Sequence, residues 1–319
     1  MTDLQDNPLA GRSLLRLFDL TPAELSLVLD TARAQKNAWA QGVHEAPLAG
    51  QAVAIILEKP SMRTRTSFEV ACARLGAHPV VMSDSHSAFS RGETVQDTSL
   101  VLERFVDAIV IRTFEQTKVE EIDEWTSIPV VNALTDQFHP CQVLADLLTV
   151  QEHKGSLAGL RLAYVGDGNN MANTYLEGCV LAGMDIAVAT PRGYAPDPEV
   201  VAEARVKGVS TGSSVELGED PRAAVDGADV VVTDTWTSMG DEAEHDLRLR
   251  DFEGFQVDDG LMACAKDDAL FMHCLPAHRG EEVTDSVMDG AQSVIYDEAE
   301  NRLHAQKALL SLLVAGTRR

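Results

Sequence analysis

The densest chemistry in this 319-residue chain lies in Glu58-Lys59-Pro60-Ser61-Met62-Arg63-Thr64-Arg65-Thr66, where an apolar run, Ala52 to Leu57, gives way to a helical pattern. Guanidinium groups, hydroxyls and the free backbone N–H groups of a helix start converge at such a junction, which is how a phosphate is held. Arg forks match phosphate oxygens bidentately, as a lone Lys cannot. For a single Ser-x-Arg pair the plain reading is a capped helix with solvated arginines. The close packing of Ser61, Arg63, Thr64 and Arg65 after an apolar run favours an anion site.

Further blocks fall at comparable joints. Arg112, in Ile111-Arg112-Thr113-Phe114, ends an apolar run, His139-Pro140-Cys141-Gln142 opens a long helical stretch, and His273-Cys274-Leu275-Pro276 ends a late apolar run. A lone histidine is more often structural, but one followed by Pro-x-Gln at a strand-to-helix joint has the better claim to a site. Gly166-Asp167-Gly168-Asn169-Asn170 invites a dinucleotide reading, yet Met171 stands in place of the third glycine, so the Gly-x-Gly-x-x-Gly fingerprint fails. In Asp234-Thr235-Trp236-Thr237-Ser238-Met239-Gly240 the carboxylate suits an ammonium, and donors near Asn170 and Met239 suit a carboxylate. Either string alone would be a surface turn. At two successive strand ends they read as an amino-acid site.

Ser61-Met62-Arg63-Thr64-Arg65 resembles the carbamoyl phosphate signature of the aspartate and ornithine carbamoyltransferase family, and the four blocks, in this order, cover nearly the whole chain. The turn at Asn170 and the loop at Asp234 resemble the ornithine-using members. The resemblance implies transfer of the carbamoyl group of carbamoyl phosphate to the δ-amine of L-ornithine, giving L-citrulline and phosphate, in arginine biosynthesis or the arginine deiminase route. It also implies a set of roles. Ser61, Met62, Arg63, Thr64, Arg65, Arg112, His139, Gln142, Cys274, Leu275 and Arg302 would bind carbamoyl phosphate, and Asn170, Asp234, Ser238 and Met239 would bind ornithine. Many family members carry a glutamine where this chain has Ala88, three residues ahead of Arg91. A homotrimer, or a multiple of trimers, is implied as well.

The reaction needs two positioned substrates, a neutral amine and donors for a tetrahedral oxyanion. The expected catalytic set is therefore Arg112 and His139, donating with Thr64 to the carbamoyl oxygen, and Asp234 and Cys274, orienting the amine. Cys274 as a covalent nucleophile is the competing reading. It is disfavoured because the attacking group belongs to the substrate and no His-Asn or His-Asp pattern surrounds the thiol. His273 and His278 straddle Pro276 at a poor spacing for one helical face, so no metal is expected, and no cofactor. Alternatives are another acceptor (aspartate, an N-acylated ornithine, putrescine), a weakly active partner subunit and, last, a nicotinamide oxidoreductase.

These residues need a scaffold of strand ends. Thr21-Pro22-Ala23-Glu24 joins an N-cap, a proline at the first helical position and a capping-box Glu, opening a helix with Leu25, Val28, Leu29 and Ala32 on one face. From Ala52 onward, short apolar runs alternate with helical stretches through both halves. That pattern predicts α/β architecture: two similar three-layer α/β/α domains with parallel sheets, joined by bridging helices. The expected domains are 1–140 for carbamoyl phosphate and 141–299 for ornithine, with a terminal helix, about 300–319, packing back on the first. In open parallel sheets ligands gather beyond the carboxyl ends of the strands.

Composition limits the partners. Against 26 Lys and Arg stand 50 Asp and Glu, a net charge of -24 that repels nucleic acid and anionic membranes. An anionic substrate must be captured by a local basic site. No apolar run approaches the roughly 18 residues of a membrane span. The polar stretch from Met1 to Ala10 lacks a secretory pattern, so a cytoplasmic address is expected. Five cysteines without paired spacing argue for reduced thiols.

Overall fold

The computed structural model describes residues 7–83, 92–237 and 242–316, so Ala88, Ser238 and Met239 lie outside the described residues. The chain divides into two compact units, Met1–Leu148 with Asn301–Arg319, and Thr149–Glu300. Each is a parallel sheet flanked by helices, and the α/β expectation holds.

The first unit carries β1 (Ala52–Leu57), β2 (His78–Ser83), β3 (Ala108–Arg112) and β4 (Val130–Leu134), in the order β2-β1-β3-β4. Its helices are α1 (Pro22–Ala40), α2 (Met62–Leu75), α3 (Val95–Leu102) and α4 (Gln116–Trp125), while α5 (Pro140–Lys154) leads into the second unit. The Thr21 hydroxyl accepts from Glu24 N and the Glu24 carboxylate accepts from Thr21 N, so α1 starts with the capping box that its sequence announces. Leu25, Val28, Leu29 and Ala32 are its buried face. β1 and β3 are the central strands; β1 is apolar along its whole length and β3 is apolar up to its final residue, Arg112, as strands covered on both faces must be. The edge strand β2 is only half-buried.

The second unit holds β5 (Arg161–Val165), β6 (Asp185–Ala189), β7 (Val215–Gly218), β8 (Val230–Val232) and β9 (Leu270–Met272), in the order β7-β6-β5-β8-β9. Flanking them are α6 (Asn170–Ala182), α7 (Pro198–Thr211), α8 (Pro221–Val225), α9 (His245–Asp251), α10 (Asp259–Met262) and α11 (Asp285–Met288). The last helix, α12 (Ile295–Val314), begins in this unit and ends in the first. There, Gly11 N donates to Leu313 O at 2.8 Å and Gln35 Nε2 donates to Ser311 Oγ at 2.9 Å.

Both sheets reverse their strand order, at β1/β3 and at β5/β8, and a reversal leaves an open crevice at the carboxyl ends. Ser61 follows β1 and Arg112 ends β3; Asn169 follows β5 and Asp234 follows β8. β3 and β4 also slip register, Ile111 pairing with Asn132 but Arg112 with Leu134. The extra residue, Ala133, is a bulge in β4 opposite the strand end bearing Arg112.

Three short helices, α9, α10 and α11, have no counterpart in the apolar periodicity. Two span four residues, too few for a 3.6-residue repeat to show. Helix α7 ends at Thr211, where Gly212 supplies a left-handed stop at φ 80°. Cys72, Cys141 and Cys179 are buried, and burial pushes the Cys72 and Cys141 thiols up to about 12. Among the described residues no helix is long and apolar enough to cross a membrane.

Gly168 is fixed by close approach: a Cβ there would lie 2.3 Å from Pro196 N and 2.4 Å from Tyr194 O. Gly168→Ala is expected to destabilise the protein by about 1–3 kcal/mol, the usual cost of overpacking, seen as a lower urea midpoint with an unchanged slope. An unchanged midpoint would show that the turn gives way freely.

Candidate functional site

In the first unit, Ser61 caps α2, its hydroxyl accepting from Thr64 N at 3.2 Å and lying 3.1 Å from Thr64 Oγ1. Thr64 is fully buried and accepts from Arg302 Nη2 at 3.1 Å. Arg302 Nη1 also donates to Gln142 Oε1, and Gln142 Nε2 passes the chain on to Asp146 Oδ1 at 2.8 Å. The bend bearing His139 is braced from below. Thr135 Oγ1 accepts from Phe138 N and donates to Gln116 Oε1, which also accepts from Asn132 Nδ2. Pro140 then opens α5, where its missing N–H costs nothing.

His139 sits at the centre of this cluster. Its Nε2 lies 3.5 Å from Arg302 Nη1, and a guanidinium can only donate, so Nε2 accepts and Nδ1 carries the proton. Burial holds the imidazole well below its ordinary value, and Arg302, Arg112 and Arg63 push it further the same way. His139 is therefore neutral. Three arginines around a buried neutral imidazole form a site for an anion with a donor inside it. Two predicted contributors stand apart: the Arg65 guanidinium pairs with Glu69 at 3.0 Å on an exposed face, and the Met62 side chain is exposed.

In the second unit, Asn169 caps α6, accepting from Met171 N at 2.9 Å and Ala172 N at 3.4 Å. Its amide donates to Asp234 Oδ2 at 2.9 Å, while the Cys274 thiol donates to Asp234 Oδ1 at 3.1 Å. Tyr164 donates to Asn169 Oδ1 at 3.2 Å. Burial, with Asp234, Asp167, Cys274 and Glu282 nearby, keeps this phenol well above its ordinary value, so it remains a donor. The result is a carboxylate held from two sides at a strand end, with Asn170 at the first helical position beside it. Leu275 follows Cys274 at φ 58°, and its N–H donates to His273 Nδ1 at 2.9 Å.

Sequence reasoning missed several supports. Asn169, rather than only Asn170, is the residue that touches Asp234. Arg248 ties the two ligand turns together, donating to Asp167 Oδ2 at 2.7 Å and Trp236 O at 2.8 Å. Its position on a short, polar helix gave no signal. The asparagine did give one, since Asn before a helical run is an N-cap signature.

Two family models match the chain: the aspartate/ornithine carbamoyltransferase carbamoyl-P binding domain over residues 12–152, and the Asp/Orn binding domain of the same family over residues 158–313.

The chain belongs to the aspartate/ornithine carbamoyltransferase family.

Among its carbamoyltransferase relatives, the ornithine carbamoyltransferase of Acidothermus cellulolyticus is 54% identical over 305 residues, 95% of this chain and 96% of that protein. That of Pyrococcus abyssi is 49% identical over 310 residues, covering 97% and 98%. The solved ornithine carbamoyltransferase from Pyrococcus furiosus superposes with a TM-score of 0.95 at 48% identity, covering 97% of this chain and 99% of that one. In this carbamoyltransferase both strand-end clusters fall inside the matched domains.

A neutral buried histidine makes stability depend on pH. The unfolded chain takes up a proton below about 6.5 while folded His139 does not, so its contribution is complete above that value and is lost as pH falls below it. Urea unfolding at pH 7 and 5, at fixed protein concentration, should show a smaller acid loss for His139→Gln than for the wild type, by up to about 1.4 kcal/mol per pH unit. Equal losses would mean that His139 titrates normally in the folded protein.

Proposed function

We propose that the protein transfers the carbamoyl group of carbamoyl phosphate to the δ-amine of L-ornithine, releasing L-citrulline and phosphate. The observation that carries the reading is the presence, in one chain, of an arginine-lined anion cluster and a separately built carboxylate, Asp234. Relatives about half identical over nearly their whole length bear the name of that activity and support it.

Arg63, Arg112 and Arg302, with Ser61 and Thr64, bind the phosphate end of carbamoyl phosphate, and Gln142 fixes the Arg302 fork. His139 acts as a neutral donor through Nδ1, joining Arg112 and Thr64 at the carbamoyl oxygen, where charge develops. Asp234, flanked by Cys274 and Asn169, attracts and orients the δ-ammonium. After the δ-ammonium releases one proton to solvent, the neutral amine attacks the carbamoyl carbon and the new C–N bond gives a tetrahedral oxyanion. This collapses as the C–O bond to phosphate breaks, and the departing phosphate takes the second proton from nitrogen. The Cys274 thiol donates to Asp234, and both ring nitrogens of the neighbouring His273 are engaged, Nε2 with Glu282 and Nδ1 with Leu275 N, which supports an orienting role over a covalent one. Asn170, Ser238 and Met239 complete the ornithine set, and Leu275 and Cys274 flank the carbamoyl group. In this reading the enzyme works in the cytoplasm as a homotrimer or a multiple of trimers.

The purified chain, supplied with carbamoyl phosphate and a panel of amines, should form citrulline and little carbamoylaspartate or carbamoylputrescine. Removing a charge-assisted contact of roughly 1.5–3 kcal/mol, Asp234→Ala should raise the ornithine KM about 10- to 100-fold and leave carbamoyl phosphate binding nearly unchanged. Equal losses for both substrates would contradict separate sites.

A further inference from the structure

Two carboxylates, Asp167 and Asp234, stand just past the ends of β5 and β8, which are neighbours in the second sheet, and both bear on the Tyr164 phenol. Each is buried to all but 8% of its surface. Their partners differ in kind. Asp234 accepts from the Asn169 amide at 2.9 Å and the Cys274 thiol at 3.1 Å, and among the described residues it pairs with no cation. Asp167 accepts from Arg248 Nη1 at 2.7 Å, an ion pair with only 11% and 12% of the two side chains exposed.

The guanidinium is held in place on several sides. The same Nη1 donates to Trp236 O at 2.8 Å, and Nε donates to Glu244 Oε2 at 3.3 Å. Its carbon lies 5.2 Å from the centre of the Tyr194 ring, whose hydroxyl donates to Asp251 Oδ2 at 2.7 Å. Removing the cation alone would leave Asp167 as a second buried carboxylate without a countercharge. With Arg248 present, Asp167 is cancelled and the pair of strand ends carries the single net charge of Asp234. Ornithine, with two ammonium groups and a carboxylate, brings one net positive charge. A diamine brings two positive charges and no carboxylate, so its second cation finds no partner. Charge complementarity of this kind selects between ligands by what the wrong one leaves unpaired.

We propose that Arg248 determines the charge of the amine substrate: by neutralising Asp167 it leaves Asp234 as the one uncompensated carboxylate and selects an amino acid with a cationic tail over a diamine. This inference rests on the carbamoyl transfer reading above. Arg248 acts through Asp167 without touching substrate, so it is a positioning residue, and its effect is electrostatic as well as mechanical.

Initial rates of the full-length protein at saturating carbamoyl phosphate give the ratio of kcat/KM for ornithine to that for putrescine. Arg248→Met should lower this ratio about 10-fold or more, the scale of one uncompensated charge near the ligand. The double variant Asp167→Asn Arg248→Met, which removes both charges, should return it to within about threefold of the wild type. A purely mechanical tie between the two turns would not be restored in this way. Asp167→Asn alone leaves the guanidinium unpaired and should raise the ratio, which decides the matter if Arg248→Met fails to fold. An unmoved ratio in Arg248→Met and Asp167→Asn, or a double variant no better than Arg248→Met, with citrulline still formed by the wild type, would overturn this inference alone. A wild type that carbamoylates putrescine in preference to ornithine, or neither amine, would overturn the functional reading and this inference with it.

Discussion

Charge placed around a buried imidazole governs the first unit. His139 cannot be cationic where it stands, because burial and the guanidinium groups of Arg302, Arg112 and Arg63 all oppose the proton. A neutral imidazole contacted by an arginine through Nε2 must hold its hydrogen on Nδ1. One electrostatic constraint therefore fixes protonation, tautomer and donor direction together. In an acidic chain of net charge -24, this concentration of arginine is what makes capture of an anion feasible.

The scaffold explains why these groups meet. Ser61 follows β1 and Arg112 ends β3, two strands adjacent in space on either side of a reversal in strand order. His139 follows β4 across a bend braced by Thr135, Gln116 and Asn132, and Arg302 comes from the last helix. The second unit repeats the logic at β5 and β8, with Asn169 both capping a helix and steadying Asp234. Gly168 lets the turn between them press against the backbone at 194–196.

Much of this was legible before any coordinates. The alternation of apolar runs and helical stretches gives the parallel sheets, and the capping box at Thr21 and Glu24 places α1 within a residue. Ser61, Arg63, Thr64 and Arg112 announce themselves by type and by position after buried strands. Gln142 and Arg302 are named only through the family resemblance, since by type alone a Gln and an Arg inside helices look like ordinary side chains; tertiary packing joins them. Arg65 shows the reverse: its place in the motif suggests a ligand, while the helical period turns it outward to Glu69 at i+4. Arg248 and the short helices near it were invisible because four- to seven-residue helices leave no periodic trace.

The state of His139 is the most direct test. Nitrogen NMR of the protein labelled at histidine, followed from pH 8 to 5, should show one imidazole that stays neutral throughout with its proton on Nδ1, and added phosphate should shift that resonance. An imidazole at this position that gains a proton near its ordinary value of about 6.5, or one carrying its hydrogen on Nε2, would contradict the account.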